Sequence, residues 1–314
     1  MLRLLLLVVI LNVQCAMFNV YAQIAIGGNI YGGGNAGDTG GDTKVTVYAG
    51  DINAVYGGAR MADVKGAAFV NIDGENASAD ILISEVYGGN DISGTIGTAT
   101  AVPEELENVR TDATSTDKTK NDIDKSWSAF VRTSPCKTKR TVTIDDKEMT
   151  ADEIVVVIGS LYGGGNGEYT YKDANGNDLK DEAGNYIVRD DAGNIVATSA
   201  TPFTKPELAK TYLELMGGCI AHVYGGGNNA TVTENTTINI DNTSDDLQKA
   251  VTVWTEANKA MLEAQNQTIT DVVAYLQTKV KLATFQSNLS SFAFNFARIF
   301  GGNNKADKIG RAHV

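Results

Sequence analysis

Six times the chain writes an aliphatic residue, an aromatic ring and a pair of glycines: "IYGGGN" from Ile30, "VYGGAR" from Val55, "VYGGND" from Val86, "LYGGGN" from Leu161, "VYGGGNN" from Val223 and "IFGGNN" from Ile299. Glycine gives up side-chain packing and adds chain entropy, so its return behind a ring at a fixed register calls for a backbone reason. A repeat of this kind constrains the fold more than any other feature, because repeated units bury their apolar faces against one another rather than in one globular core.

The register around the rings Tyr31, Tyr56, Tyr87, Tyr162, Tyr224 and Phe300 is detailed. Directly before each stands Ile30, Val55, Val86, Leu161, Val223 or Ile299, and three before stands a small residue, Gly28, Asn53, Ser84, Gly159, Ala221 or Ala297. Four before are Ile52, Ile83, Ile158, Ile220 and Phe296, with Gly27 the exception. Fourteen and sixteen residues after the ring come Val45 and Val47, Val70 and Ile72, Ile238 and Ile240, an alternation that reads as strand. "TVTID", Thr141 to Asp145, reads as a fourth copy displaced by an insertion. The closest rings are 25 and 31 residues apart, enough for two or three short strands per repeat.

These patterns predict an all-β chain, a parallel β-helix or solenoid with Gly-rich turns, its coils pairing at about 4.8 Å. Like residues should then stack: aliphatics inside, rings on rings, and Asn35, Asn166, Asn228 and Asn304 in a ladder. The paired glycines, Gly32 and Gly33, Gly57 and Gly58, Gly88 and Gly89, Gly163 and Gly164, Gly225 and Gly226, Gly301 and Gly302, are expected to supply corner φ values and to let neighbouring backbones approach closely. Alternation places the preceding aliphatic inward. The ring is therefore expected outward or half-buried, which makes the six rings a candidate ligand-facing row.

Three insertions separate the repeats. The first, about 103–140, is charged and Thr-rich and reads as a solvated loop. The second, about 168–217, carries "DANGND", "DEAGNY" and "DDAGNI", turn sequences that predict a β-hairpin excursion. Pro206 then opens an expected short helix through "PELAKTYLELM", closed by Gly217 and Gly218. Asp173, Asn175 and Asn177 have the alternate spacing of a calcium loop, but the glycine is misplaced and the twelfth position lacks Glu, so the reading is a turn. The third insertion, about 242–291, predicts a helical hairpin: Ser244 caps a stripe of Leu247, Val251, Trp254, Ala257 and Met261, and Asp271 opens a second with Val273, Leu276, Val280 and Ala283.

At the N-terminus, Arg3 precedes an apolar run from Leu4 to Leu11, with Val20 and Ala22 placed as a cleavage signal, so 1–22 reads as a secretory signal peptide and 23–307 as the repeat domain. The tail "IGRAHV" matches one reading frame of a common sequencing adapter. Residues 308–314 are therefore expected to be an artefact, and the natural chain to continue past Asp307.

With 26 basic against 38 acidic residues and a net charge of −12, no basic face is expected for nucleic acid. The two histidines, His222 and His313, are too few for a His-based triad or a multi-histidine metal site. No catalytic residue, cofactor or metal is expected. Asp91, Arg60, His222 and Arg298 are the polar candidates near the glycine turn, each read as a solvated ladder position. Cys136 and Cys219 could pair in an oxidising compartment, a point that spacing leaves open.

The "VYGGGN" copies, the "VTV", "VNI" and "INI" strands and the export signal together resemble the large, repetitive adhesin-like surface proteins of gut-type bacteria. The resemblance spans roughly Ile24 to Asn304 without the insertions. It implies a parallel β-helix acting as a non-enzymatic extracellular or cell-surface scaffold, with a surface glycan or protein as partner and no membrane span. It carries no functional residues over. A glycan-binding module using the ring row is the alternative; a polysaccharide-cleaving β-helix enzyme, which needs clustered carboxylates beside an Arg or Lys, ranks third.

Overall fold

A computed structural model describes residues 25–99, 127–134, 139–144, 147–152, 156–240, 295–305 and 312–313. The expected signal peptide, the expected helical hairpin at 242–291, Cys136 and most of the 103–140 insertion lie outside the described residues. Among those described there are strands, turns and no helix.

Two six-stranded sheets carry the architecture. The first runs in the order β1 (Ala25–Tyr31), β3 (Gly50–Tyr56), β5 (Ile81–Tyr87), β10 (Val156–Tyr162), β15 (Cys219–Tyr224) and β18 (Asn295–Phe300), every neighbouring pair parallel. The second runs β2 (Thr43–Val47), β4 (Ala68–Ile72), β7 (Ala129–Thr133), β14 (Thr211–Leu215), β17 (Thr236–Ile240) and β19 (Ala312–His313), also parallel. A short third sheet joins β6 (Thr95–Ile96), β13 (Glu207–Leu208) and β16 (Thr231–Val232), and single bridges through Thr39 and Val64 extend its line. Each of the first five passes of the chain visits the first, third and second lines in that order.

Aliphatic side chains fill the space between the two large sheets. Ile52, Val55, Ile83, Val86, Ile158, Leu161, Ile220 and Val223 of the first meet Val45, Val70, Ile72, Val131, Leu213 and Ile238 of the second. Val64, Ile96, Leu208 and Val232 from the third line close a smaller cluster against Ala59, Ala68 and Ala129. The small residue three before each ring now has a cause. Ile52 and Val55 both face this interior although three apart, so the alternation must slip once between them. The pairing passes over Asn53, Ser84, Gly159 and Ala221, where a large side chain would have no consistent face. In β1 the slip is a residue longer, and the bulge at Gly27 and Gly28 brings Ile26 opposite Ile52. That is why Gly27 stood out as the exception.

The expected strand register holds in β2, β4 and β17, but its missing copies are elsewhere. "TVTID" belongs instead to β8 (Lys139–Ile144), which pairs antiparallel with β9 (Lys147–Asp152). The register is taken by "AFVRT" of β7, five buried residues inside the segment expected to be a solvated loop. It is taken again by "TYLEL" of β14, where a helix was expected. Ladder partners on both sides, β7 and β17, outweigh a weak helix propensity, and Leu213 and Leu215 face the interior with period two. Within the tail, Ala312 and His313 form β19 beside Thr236 and Thr237. An open sheet edge accepts any extended segment through main-chain hydrogen bonds.

The motif glycines act through space rather than through φ. None of them has a left-handed backbone; among the described residues the positive-φ glycines are Gly50, Gly94, Gly167, Gly176, Gly184, Gly193 and Gly218. The parallel ladder instead continues straight through the motif, with Gly57 N–H donating to the Tyr87 carbonyl at 2.8 Å and Gly163 N–H to the Tyr224 carbonyl at 2.9 Å. A Cβ on Gly57 or Gly225 would lie 2.5 Å from the carbonyl oxygen of Gly88 or Gly301 in the next pass. Motif carbonyls also accept from buried threonines of the second sheet: Thr43 donates to Gly57 at 2.6 Å and Thr211 to Gly225 at 2.5 Å.

Candidate functional site

The six rings form one continuous stack. Centroids are 4.9, 4.7, 4.7, 4.9 and 5.0 Å apart from Tyr31 to Phe300, with planes within 11° of parallel. This is what parallel, in-register pairing imposes on a residue repeated in every strand. The row stands on the face of the first sheet opposite the interior, as alternation requires. It is nevertheless not a free ligand-facing surface: Tyr56, Tyr87 and Tyr162 are buried, Tyr31 and Tyr224 half-buried, and only Phe300 is exposed. Two layers cover it, and each traces to a sequence feature.

The first layer is the position four residues after the ring, occupied by Asn35, Arg60, Asp91, Asn166, Asn228 and Asn304. The expected asparagine ladder exists from Asn304 onward: its Nδ2 donates to Asn228 Oδ1 at 2.9 Å, Asn228 Nδ2 to Asn166 Oδ1 at 3.1 Å, and Asn166 Nδ2 to Asp91 Oδ1 at 3.0 Å. Every amide therefore points its donor toward a terminal carboxylate. Asp91 also accepts from the Tyr169 hydroxyl at 2.7 Å and from the Tyr31 hydroxyl at 2.8 Å. On the other side of Asp91 in the row, Arg60 donates to Asn35 Oδ1 at 3.1 Å and to the Val196 carbonyl at 2.5 Å. Asp91 is buried, so the reading of a solvated position is corrected: its charge is held by three donors.

The second layer is the hairpin insertion. Three loops of one design build it, Asp173 to Asn177, Asp181 to Asn185 and Asp190 to Asn194. In each the carboxylate accepts the backbone N–H and side-chain amide of the Asn four residues on, while Gly176, Gly184 and Gly193 sit at φ of 85°, 86° and 84°. The calcium-like spacing is thus used for turn formation. Between the loops run short antiparallel segments, including β11 (Tyr186–Arg189) and β12 (Ile195–Ser199). Their apolar face, Tyr171, Val188 and Ala197, packs on Ile92 and Met61, and Tyr171 donates to the Ile92 carbonyl at 2.5 Å.

Burial raises the tyrosine hydroxyls above their ordinary value of 10.0. Tyr56 is raised further by Asp91 and Tyr87 by Glu85, so both stay neutral at any physiological pH. His222 moves the other way, lowered from 6.5 by partial burial and then by Arg298, its in-register neighbour. The four polar residues singled out from sequence therefore divide: Asp91 and Arg60 share the ladder row, while His222 and Arg298 share the row two before the ring with Ser160 and Glu85.

Where the insertion meets the first sheet a cleft of about 300 Å³ remains. It is lined by Glu85 and Tyr87 of the first sheet, Asn166 and Asn228 of the ladder, and Glu168, Tyr169, Asp190, Asp191 and Ala192 of the insertion. Among the described residues no three His, Cys, Asp or Glu side chains are placed to hold a metal ion, and no helix is long and apolar enough to cross a membrane. Sequence reasoning missed this cleft and a second ring stack, Phe69, Phe130 and Tyr212 on the outer face of the second sheet. The latter was legible only once "AFVRT" and "TYLEL" were seen as strands. No family model, curated protein or solved structure matches this chain.

Proposed function

We propose that this chain is a parallel β-helical scaffold, exported and adhesin-like, whose work is done by shape and display rather than by catalysis. The observation that carries the reading is the unbroken register: rings, glycines and ladder residues recur through successive passes and are used to hold the passes together. A side chain spent on stacking at every repeat makes a stiff rod and leaves insertions as the variable, displayed parts. The rings cover one another face to face and lie under Asp91, Asn166 and the hairpin, which removes the flat platform that glycan binding by the row would use.

Antibody labelling of intact cells expressing the chain with and without residues 1–22 tests export. Surface signal that depends on 1–22, with purified protein inert toward a panel of polysaccharides, is the expected outcome. Retention inside the cell, or release of reducing ends from any polysaccharide, would overturn the reading.

A further inference from the structure

The two ends of the stack are built like its middle. Ile26 and Ile30 of β1 and Ile299 of β18 pack on the interior but are only partly buried, whereas their counterparts Ile52, Val55, Ile220 and Val223 are at most 1% exposed. At one end Phe300 and Ile240 are 43% and 41% exposed, and in the first pass Tyr48 is 47% exposed. Among the described residues only Ile195 of the insertion is a further large hydrophobic so placed. Ala25, Gly27, Gly28 and Asn29 along β1 are exposed as well. A repeat protein ordinarily closes its ends with units whose outer face is polar. Here both end passes keep the ring, the aliphatic and the glycine pair that in the inner passes serve contact with a neighbouring pass.

The ends are also complementary in direction. From pass to pass the motif N–H donates toward the later pass, as Gly32 does to the Tyr56 carbonyl and Gly225 to the Phe300 carbonyl. The side-chain row donates the other way, Asn304 to Asn228 and Arg60 to Asn35. Its two end members, Asn35 and Asn304, are both exposed. A sixth pass laid against a first therefore continues both patterns, with Gly301 N–H toward the Tyr31 carbonyl, Asn35 Nδ2 toward Asn304 Oδ1, and Tyr31 face to face with Phe300. Charge favours the same meeting: residues 25–49 carry Asp38 and Asp42 against Lys44, while residues 295–305 carry Arg298 and Lys305 and no acid.

We infer that the two end faces of the stack bind each other between molecules, so that the partner of this surface is a second copy of the chain, joined head to tail as a continuation of the parallel sheets. Such a contact is heterologous and does not close, so copies add into rods. Like ends do not serve. Two sixth passes meeting would bring Arg298 and Lys305 of both copies together and would break the donor order of the side-chain row. The interaction goes beyond the scaffold reading, rests on the stacked passes, and would stand if export failed.

Sedimentation velocity of the purified full chain over a range of concentrations is the test, and mass growing past the dimer as concentration rises is expected. Phe300→Lys charges one end, and Ile240→Lys repeats that block from the second sheet. Gly28→Lys charges the other end, where a side chain meets open space within one copy. Each variant alone should remain a monomer. An equimolar mixture of Phe300→Lys and Gly28→Lys should give a dimer and nothing larger, because one intact face of each kind remains, and that dimer also shows both variants to be folded. Cross-linking locates the joint, in a chain with Cys15, Cys136 and Cys219 changed to Ser. Asn35→Cys and Asn304→Cys stand five passes apart within one copy, about 24 Å and beyond disulfide reach, but about 5 Å apart across the joint. Oxidation should therefore yield a series of covalent oligomers. A wild-type chain that stays monomeric at millimolar concentration, a dimer formed by any one of the variants alone, a mixture without dimer, or oxidation that yields monomer only would each overturn the assignment.

Discussion

The stacked passes and the hairpin insertion both depend on glycine, for opposite reasons. In the stack, Gly163 has an ordinary φ, but a Cβ there would strike the Gly225 carbonyl of the next pass and approach Thr211 Cβ at 3.0 Å. In the insertion, Gly184 has a φ of 86° and open space on every side. One glycine is needed because there is no room for a side chain, the other because the backbone is left-handed. Glycine in a sequence is therefore two different signals, and only the neighbours tell which. Repetition at a strand end behind a ring means backbone against backbone. Repetition as Asp-x-x-Gly-Asn means a local turn closed by its own Asp.

The sharpest way to break this comparison is to give each site a residue that answers only one of the two needs. Gly163→Ala should cost about 3 kcal/mol, the upper end of overpacking, because rigid backbone cannot move aside on either flank. Gly163→Asn should be no better, and urea unfolding of both variants checks this. Wild-type stability in Gly163→Ala would show that the passes are not packed this closely.

Asp91 joins the two regions, accepting from Tyr31 of the stack and Tyr169 of the insertion. Asp91→Ala should lower stability by about 2 kcal/mol through orphaned donors. It should also admit trypsin at Lys172, Lys180 and Arg189 of the insertion. Lost stability without new cleavage would mean that the insertion is held by Tyr171, Val188 and Ala197 on Ile92 and needs no charged anchor.

In the insertion, Gly184→Ala should cost about 1 kcal/mol for a left-handed backbone, and Gly184→Asn should recover most of it, because Asn tolerates that conformation. Thermal melts of the pair give the answer. Equal effects of Ala and Asn here would erase the distinction drawn from Gly163.

The smallest effect is one of pH. Asp173, Asp181 and Asp190 are each held below the usual 3.8 by hydrogen bonds from Asn177, Asn185 and Asn194. Depressed carboxylates contribute to the fold fully above that value and lose the contribution as pH falls through their lower folded values. The backbone amides of the three asparagines should therefore shift together in NMR spectra only below about pH 4. The stack, whose tyrosines are raised, should be silent there. Movement of these amides near neutrality would contradict the loop geometry.

Much of the stack was legible because its periodicity is written in residue types that have few other uses. The rings, the inward aliphatics and the asparagines of the ladder were all found where their spacing put them. "AFVRT" and "TYLEL" were not, since insertions on either side broke the spacing and neither segment could show its partners. The burial of the rings was invisible for a related reason. It depends on the insertion folding back onto Ile92, a contact between residues about eighty positions apart that no local pattern announces. The membership of Asp91 and Arg60 in the ladder row could have been read by counting four from every ring, and the unlike residue type concealed it.

The account stands on passes that lie in the order and register found in the first sheet, where Glu85, Ser160 and His222 are successive partners across β5, β10 and β15. Cysteine cross-linking measures this directly, in a chain with Cys136 and Cys219 changed to Ser. Ser160→Cys with His222→Cys places the pair on adjacent strands, about 5 Å apart, within disulfide reach. Glu85→Cys with His222→Cys leaves one strand between them, about 10 Å, beyond it. Rapid oxidation of the first pair and none of the second is the expected result; a cross-link in the second, or its absence in the first, would contradict the stacked register.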